Sequence, residues 1–533
     1  MEQNREKKNI PVGIVYGKTT PYLVEAIALK DSPSIGIGRL VKIQYLDENK
    51  KQEFLLGRVI SVWTKNRLLL DENMMPKLRT KDLEASSMTI EHLGLASEIA
   101  GMMGFSVLII GRKIGNAFVR PRIPLNPGTI IYMADDEFVS SFFIKDRTII
   151  IGNLRDNHNV PAYIDYEKLV THHFSVLAMT GAGKSYTVGV ILEELYLIDN
   201  LKLPIILIDP HSEYSSTLIP NEDSREAREI SKSVLTFVPG EFNYLLEKKF
   251  EDVHGRKRVT ISVKFHPAEL ETWQIKTLLS QYYGISEAQS ASLDRGWDEI
   301  HMEALDGNPP TSIEELIEKS IERIEHKGTR RALENKMRAL LKRPYFTFGK
   351  GTDVSEFVKK GQISILDLGG IEAFDQQALV GLILRKLFDL RKTSYESKIK
   401  PFLTIIEEAH NFIPPGTSPS ASKQIIARVA SEGRKFGMGL CIVSQRPSKV
   451  DADILSQCNT HFILRMMNPK DQNYVQNIAE HMTKEDFEAI KGLATGEAMV
   501  TGLSVPFTLL VNIKKRRMKH GGVTPSIKEE LEK

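Results

Sequence analysis

The stretch Ala178-Met179-Thr180-Gly181-Ala182-Gly183-Lys184-Ser185 decides how this chain is read. It lies between an apolar run, Phe174–Ala178, and a segment with apolar residues at helical spacing: Val188, Ile191, Leu192 and Leu195. A strand, a glycine-rich turn ending in Gly-Lys-Ser and then a helix is the context of a phosphate-binding loop. Gly181 and Gly183 let backbone N–H groups approach phosphate oxygens, and the helix N-terminus adds partial positive charge. In such a loop Lys184 neutralises the β- and γ-phosphates, and the Ser185 hydroxyl ligates Mg2+. Ala178 stands where glycine is usual, and small size is what the tight turn chiefly needs. Thr180, Gly181, Ala182, Gly183, Lys184, Ser185 and the following Tyr186 are the nucleotide-binding candidates. The implied ligands are ATP and Mg2+.

Two later strands add chemistry. Phe402-Leu403-Thr404-Ile405-Ile406 runs into Glu407-Glu408-Ala409-His410. Carboxylates at the C-terminal end of a parallel strand sit where open α/β sheets bind ligands. Glu407 is expected to hold Mg2+, directly or through water. Glu408 is expected to orient and polarise the attacking water. Leu440-Cys441-Ile442-Val443-Ser444 ends in Gln445-Arg446-Pro447, so Gln445 is a candidate to sense the γ-phosphate or position that water. Arg434, at a helix end just before this strand, fits an arginine finger supplied in trans. The blander reading is a charge complementing the helix dipole.

Outward from these motifs the chain changes character twice. Up to about Tyr163 it reads as β-rich, with short apolar runs at Val12–Tyr16, Tyr22–Ala28, Leu40–Tyr45, Phe54–Trp63, Ser106–Ile110, Thr129–Met133 and Arg147–Ile151. A helical interlude is expected around Thr89–Met103. Frequent turn signals between short strands suggest a small barrel or sandwich. Strands then alternate with helices, as in a parallel sheet. The expected strands are Phe174–Ala178, Ile205–Asp209, Val234–Val238, Ile363–Leu368, Phe402–Ile406, Leu440–Ser444 and His461–Leu464. Between about Glu269 and Arg343 strand signals vanish and Glu, Lys, Arg and Leu dominate. That is read as a helical insertion whose charge runs are solvated faces or a basic DNA-facing surface. The basic cluster Lys514-Lys515-Arg516-Arg517 opens the last stretch. It is read either as disordered or as reaching a neighbouring subunit or DNA.

Bulk charge does not announce a nucleic-acid binder: 71 basic residues face 68 acidic ones, for a net charge of +3, so any DNA contact must come from local clustering. The only cysteines, Cys441 and Cys458, lack metal-ligand spacing and read as reduced packing thiols. The N-terminus lacks a signal-peptide apolar region, and no apolar run approaches a membrane span, so a cytoplasmic protein is expected.

The ordered series of motifs resembles the HerA branch of the HerA/FtsK superfamily. It comprises the P-loop, Ile208-Asp209-Pro210-His211-Ser212-Glu213-Tyr214, Glu407 to Phe412, Ser431-Glu432-Gly433-Arg434-Lys435-Phe436-Gly437, Ser444-Gln445-Arg446-Pro447, Ile454 to Asn459 and Gly496-Glu497-Ala498. The resemblance implies an α/β fold: a RecA-like P-loop ATPase core with an N-terminal β-barrel, the HAS barrel, and a helical insertion. The corresponding segments are 1–163 for the barrel, 164–268 and 346–513 for the core, 269–345 for the insertion and 514–533 for a basic C-terminal extension. It also implies a homohexameric DNA translocase or helicase that threads double-stranded DNA through its pore. Such a motor acts with a NurA-type nuclease in end resection and double-strand break repair. Lys184 and Glu408 would then meet Arg434 of the next subunit, and Lys514 would pack on nucleotide. His172 stands where such sequences often carry Arg; if that Arg binds nucleotide, His172 does so as a weaker, pH-dependent donor or the role is lost. The alternative is a nucleotide-gated scaffold ring that assembles and regulates a partner nuclease. A secretion motor is disfavoured by the lack of an apolar span.

Overall fold

The computed structural model describes residues 9–29, 32–46, 52–66, 101–115, 117–198, 201–214, 219–221, 223–240, 260–322, 324–392, 399–416, 420–479 and 482–519. The chain divides into two compact units.

The first unit comprises residues 1–163, 481–493 and 505–512. Its strands are β1 (Pro11–Thr19), β2 (Leu23–Ala28), β3 (Leu40–Leu46), β4 (Gln52–Asn66), β5 (Gly101–Ile114), β6 (Ala117–Val119) and β7 (Ile130–Met133), followed by β8 (Thr148–Leu154) and β9 (Pro161–Asp165). The order β2-β1-β7-β3-β4-β5 closes through antiparallel pairing of β5 with β2 into a six-stranded barrel. Closure leaves no edge between these strands. Val12, Val24, Val41, Ile43, Leu55, Val59, Phe105, Val107 and Ile131 fill the interior. All seven expected strands are present, most with extended ends. The helix expected at Thr89–Met103 lies outside the described residues except for its last three, which belong to β5.

The second unit holds a mixed sheet in the order β13-β12-β14-β11-β15-β16-β10-β17-β18. Here β10 is Phe174–Leu177, β11 Ile205–Asp209, β12 Val234–Pro239, β13 Thr260–Val263, β14 Ile363–Asp367, β15 Phe402–Ile406, β16 Met438–Ser444, β17 Thr460–Ile463 and β18 Glu497–Gly502. Every neighbouring pair from β13 to β17 is parallel, and β18 runs antiparallel to β17. Strands β11, β14, β15 and β16 are buried along their whole length, which is why they read as unbroken apolar runs. β13 and β18 escaped sequence reading because their short runs are interrupted by Thr, Ser and Glu.

Two helices flank β10 and the loop after it: α1 (Tyr166–Thr171) leads into β10, and α2 (Lys184–Tyr196) follows the loop. Between β13 and β14 the described residues form the α-helices α3 (Thr272–Tyr283), α4 (Glu287–Leu305), α5 (Ile313–Ile321) and α6 (Lys327–Leu340). Capping boxes Glu271/Gln274 and Ser286/Gln289 start α3 and α4. Trp297 is fully buried at their centre and donates to the Leu270 carbonyl at 2.8 Å. Several charges of this region pair with one another, as Lys319 does with Glu303 and Arg338 with Glu314 and Glu334. Helices α7 (Ala373–Lys392) and α8 (Lys423–Phe436) complete the packing described here.

The order β15-β16-β10 brings the ends of three strands side by side, and His173 fixes where β10 begins. It adopts a left-handed φ of 56°. Its Nδ1 accepts from the Leu440 N–H of β16 at 3.1 Å, and its ring also bonds the Ala430 backbone on α8. Burial holds the imidazole neutral, with its pKa depressed to about 4. The folded value lies below the unfolded one, so this contribution is fully present above pH 6.5. It is lost as pH falls toward 4, by about 3 kcal/mol. His173→Asn tolerates the left-handed backbone and cannot titrate. Unfolding midpoints of wild type and variant, compared from pH 7.5 to 4, should show an extra acid-induced loss in wild type alone; parallel curves would refute the assignment.

Candidate active site

The loop between β10 and α2 presents a bare helix end. Gly183 is the N-cap of α2 with φ 97°, there is no side-chain cap, and no acidic residue occupies the first turn. Its first N–H groups are therefore available to an anion. Gly181 has φ 78° and open space around the position a Cβ would take. Lys184, the first helical residue, is nearly sealed from solvent. Its Nζ donates to Glu407 Oε2 at 2.6 Å and Glu408 Oε1 at 2.7 Å. Burial opposes its charge, but the two carboxylates outweigh burial and raise its pKa above the ordinary lysine value. Burial likewise opposes the charge on Glu408, and Lys184 with Gln445 lowers its pKa below the usual glutamate value. Both groups are thus charged at neutral pH.

Consecutive residues of a strand face opposite ways. Glu407 and Glu408 nonetheless converge on one ammonium. The backbone explains it: Glu408 sits at φ 45°, ψ 48°, in the left-handed region. That conformation costs a non-glycine residue about 1–2 kcal/mol. Such strain persists only where surrounding contacts enforce it.

Gln445, at the end of β16, donates from Nε2 to Glu408 Oε1 at 2.5 Å and accepts from the Thr180 hydroxyl. It therefore links the phosphate loop to Glu408. His410 Nδ1 lies 3.3 Å from the other Glu408 oxygen. Burial and then the opposing effects of Glu408 and nearby Arg446 and Lys184 leave the His410 pKa below normal.

Ser185 and Glu407, the two residues expected to serve Mg2+, are each held by a neighbour that sequence reading gave no role. The Ser185 hydroxyl donates to Glu213 at 2.6 Å, and the Tyr214 hydroxyl donates to Glu407. Both neighbours lie in the loop after β11. The available signal was an acid at the end of an apolar strand, the same logic that singled out Glu407. Among the described residues no three His, Cys, Asp or Glu side chains form a metal cage. A divalent ion arriving on nucleotide needs no such cage, because phosphates and water supply most of its ligands.

His172 and Arg434 lie away from this cluster. His172 caps the end of α1, separated from β10 by His173, and Arg434 lies in the last turn of α8, just before β16. Both mark the N-terminal edge of parallel strands, about 13 Å of strand away from the phosphate loop. They are neighbours: burial and then the Arg434 charge lower the His172 pKa. The chain just before Lys514 lies against the phosphate loop: the Ile513 N–H donates to the Gly496 carbonyl at 2.8 Å, and the Gly496 nitrogen is 3.7 Å from where a Cβ on Gly183 would sit. The Lys514 ammonium itself reaches Glu194 at 2.7 Å.

That contact belongs to a strap. Arg516 Nε bonds Glu193 at 2.9 Å with both side chains almost wholly buried. Glu193 also accepts from the Arg517 and Met518 N–H groups. Arg517 bonds Glu194, and the Arg516 N–H donates to the Tyr186 hydroxyl at 2.9 Å. Gly189 makes room, since a Cβ there would lie 2.3 Å from the Arg516 guanidinium carbon. Lys514, Arg516 and Arg517 of the basic cluster are thus paired with the acids of α2; residues 520–533 lie outside the described residues.

Residues 149–387 match the family description "Helicase HerA, central domain", and residues 377–510 match "Helicase HerA-like C-terminal". A DNA double-strand break repair helicase HerA of Sulfolobus acidocaldarius is 30% identical across 97% of this chain and 96% of its own length. The protein of that name from Pyrococcus furiosus is 29% identical across 96% and 94%. Among solved structures, VirB4 of Thermoanaerobacter pseudethanolicus aligns at 17% identity with a TM-score of 0.46, over 70% of this chain and 97% of that one. The chain belongs to the HerA helicase family. It is an ATP-hydrolysing helicase or translocase of the HerA type. No helix among the described residues is long and apolar enough to cross a membrane.

Removing Arg516 leaves Glu193 buried beside the HerA phosphate-loop helix without its cation, a change that costs about 3–5 kcal/mol. Arg516→Ala is expected to lower the thermal midpoint clearly; an unchanged midpoint would show the strap to be dispensable.

Proposed function

We propose that this protein couples ATP hydrolysis to translocation along double-stranded DNA, as a homohexameric ring acting with a NurA-type nuclease at broken ends. The names of its relatives support DNA repair as the setting. The observation that carries the motor reading is the division of charge between two edges of one sheet. Lys184, Glu407, Glu408 and Gln445 converge at the C-terminal edge, while Arg434 and His172 lie at the N-terminal edge. Head-to-tail packing of copies brings one edge of each subunit against the other edge of the next. Arg434 then serves the neighbour's nucleotide as a finger, and His172 accompanies it.

In this cycle the triphosphate competes with Glu407 and Glu408 for Lys184. Glu408, released from the ammonium and still held by Gln445, takes a proton from water as that water attacks the γ-phosphorus. The bond to the β–γ bridging oxygen breaks, and ADP and phosphate result. Ser185 and Glu407 would hold Mg2+, which neutralises phosphate charge when bound. Gln445 contacts both Thr180 and Glu408, so a change at the γ-phosphate shifts the base and the loop together. Hydrolysis and release thereby alter the subunit interface, and pore loops move DNA with that change. Lys449, in the exposed turn after Gln445, is a candidate DNA-phosphate contact.

Steady-state ATPase activity with and without linear double-stranded DNA tests this reading on wild type and Glu408→Gln. Several-fold, salt-sensitive stimulation in wild type and loss of at least a hundredfold in the variant are expected. Hydrolysis indifferent to DNA at low salt would overturn the translocase reading for the isolated protein.

A further inference from the structure

The segment Asp209–Tyr214 is fixed at several points, and its side chains reach the two residues assigned to the metal. The Asp209 carboxylate accepts from the N–H groups of His211 at 3.2 Å, Glu213 at 3.1 Å and Tyr214 at 2.9 Å. Ser212 adopts a left-handed φ of 58°, and its hydroxyl donates to Asp367 at 2.6 Å. The loop so held delivers Glu213 to the Ser185 hydroxyl and Tyr214 to Glu407.

From this geometry we infer that Glu213 is a positioning residue for the divalent ion, acting through Ser185. The inference rests on the P-loop as the Mg–nucleotide site. A serine hydroxyl has one proton and two lone pairs. With its proton committed to Glu213 at 2.6 Å, Ser185 keeps its lone pairs for a cation, and the anionic acceptor makes its oxygen a better donor to the metal. Glu407, the other expected ligand, is given to Lys184 and Tyr214 and does not orient Ser185 among the described contacts. The Asp209 loop therefore supplies the outer support for both metal-facing oxygens, and Glu213 is its direct contact with the phosphate loop.

Binding of a fluorescent ATP analogue to the full-length protein separates this role from simple pocket support. Titrations would be run in saturating Mg2+ and in EDTA, on wild type, Glu213→Ala and Glu213→Gln. The expected result is a 10- to 100-fold loss of affinity in Mg2+ for Glu213→Ala, with affinity in EDTA within twofold of wild type. The half-saturating Mg2+ concentration should rise in parallel. Glu213→Gln keeps an acceptor oxygen and should recover part of the loss, so it also serves if Glu213→Ala does not fold. Equal affinity of variants and wild type in Mg2+ would overturn the inference, as would an equal loss in Mg2+ and EDTA. Failure of wild type itself to bind the analogue would overturn the nucleotide reading of the P-loop instead.

Discussion

A buried ammonium facing two consecutive carboxylates is the constraint on which the second unit depends. So buried a group is tolerated because Lys184 meets both carboxylates and each carboxylate has a further donor, Tyr214 for Glu407 and Gln445 for Glu408. Pairing fixes where β15 must end relative to β10, because Glu407 and Glu408 have to reach Lys184. It requires the left-handed turn at Glu408, since an extended chain would send one carboxylate to the far face. It also recruits Gln445 from the strand between them and Tyr214 from beyond β11. The sheet order places those strand ends close enough to meet, and the same order leaves Arg434 and His172 at the opposite edge.

Around this knot the surrounding contacts hold the phosphate-loop helix from two directions. The Asp209 loop fixes Ser185 at the start of α2. The strap from Lys514 to Met518 covers Glu193 and Glu194 near its end and touches Tyr186 in its first turn. A helix anchored along its length cannot tilt without disturbing both ends.

Much of this was legible in the sequence. The glycine-lysine-serine ending, the acids after Phe402–Ile406 and the polar residue after β16 each combine a residue type with a strand end, a local relation that one chain reveals. The barrel strands were readable for a similar reason, because their inward apolar residues alternate between turn signals. The contacts among sites were not readable. Glu213 meets Ser185 across 28 positions of chain, and Tyr214 meets Glu407 across 193. Nothing in either local pattern specifies the pairing. The basic run at 514–517 was open to two readings from composition, disorder or a reach to a neighbouring subunit or DNA; within one chain Glu193 and Glu194 pair with Lys514, Arg516 and Arg517, contacts that no local pattern specifies. Lys514 and His172 were assigned to nucleotide by resemblance; in a single chain His172 lies at the N-terminal end of β10 beside Arg434, and the Lys514 side chain is turned to Glu194.

The central claim is that Lys184, held by the glutamate pair, is the group that captures the triphosphate. Equilibrium binding of ATP to wild type and Lys184→Ala, with folding verified by circular dichroism, tests it most directly. The account predicts at least a tenfold loss of affinity, the scale of one desolvated charge-assisted contact. Unchanged affinity in a folded variant would contradict it and would place the nucleotide elsewhere on the molecule.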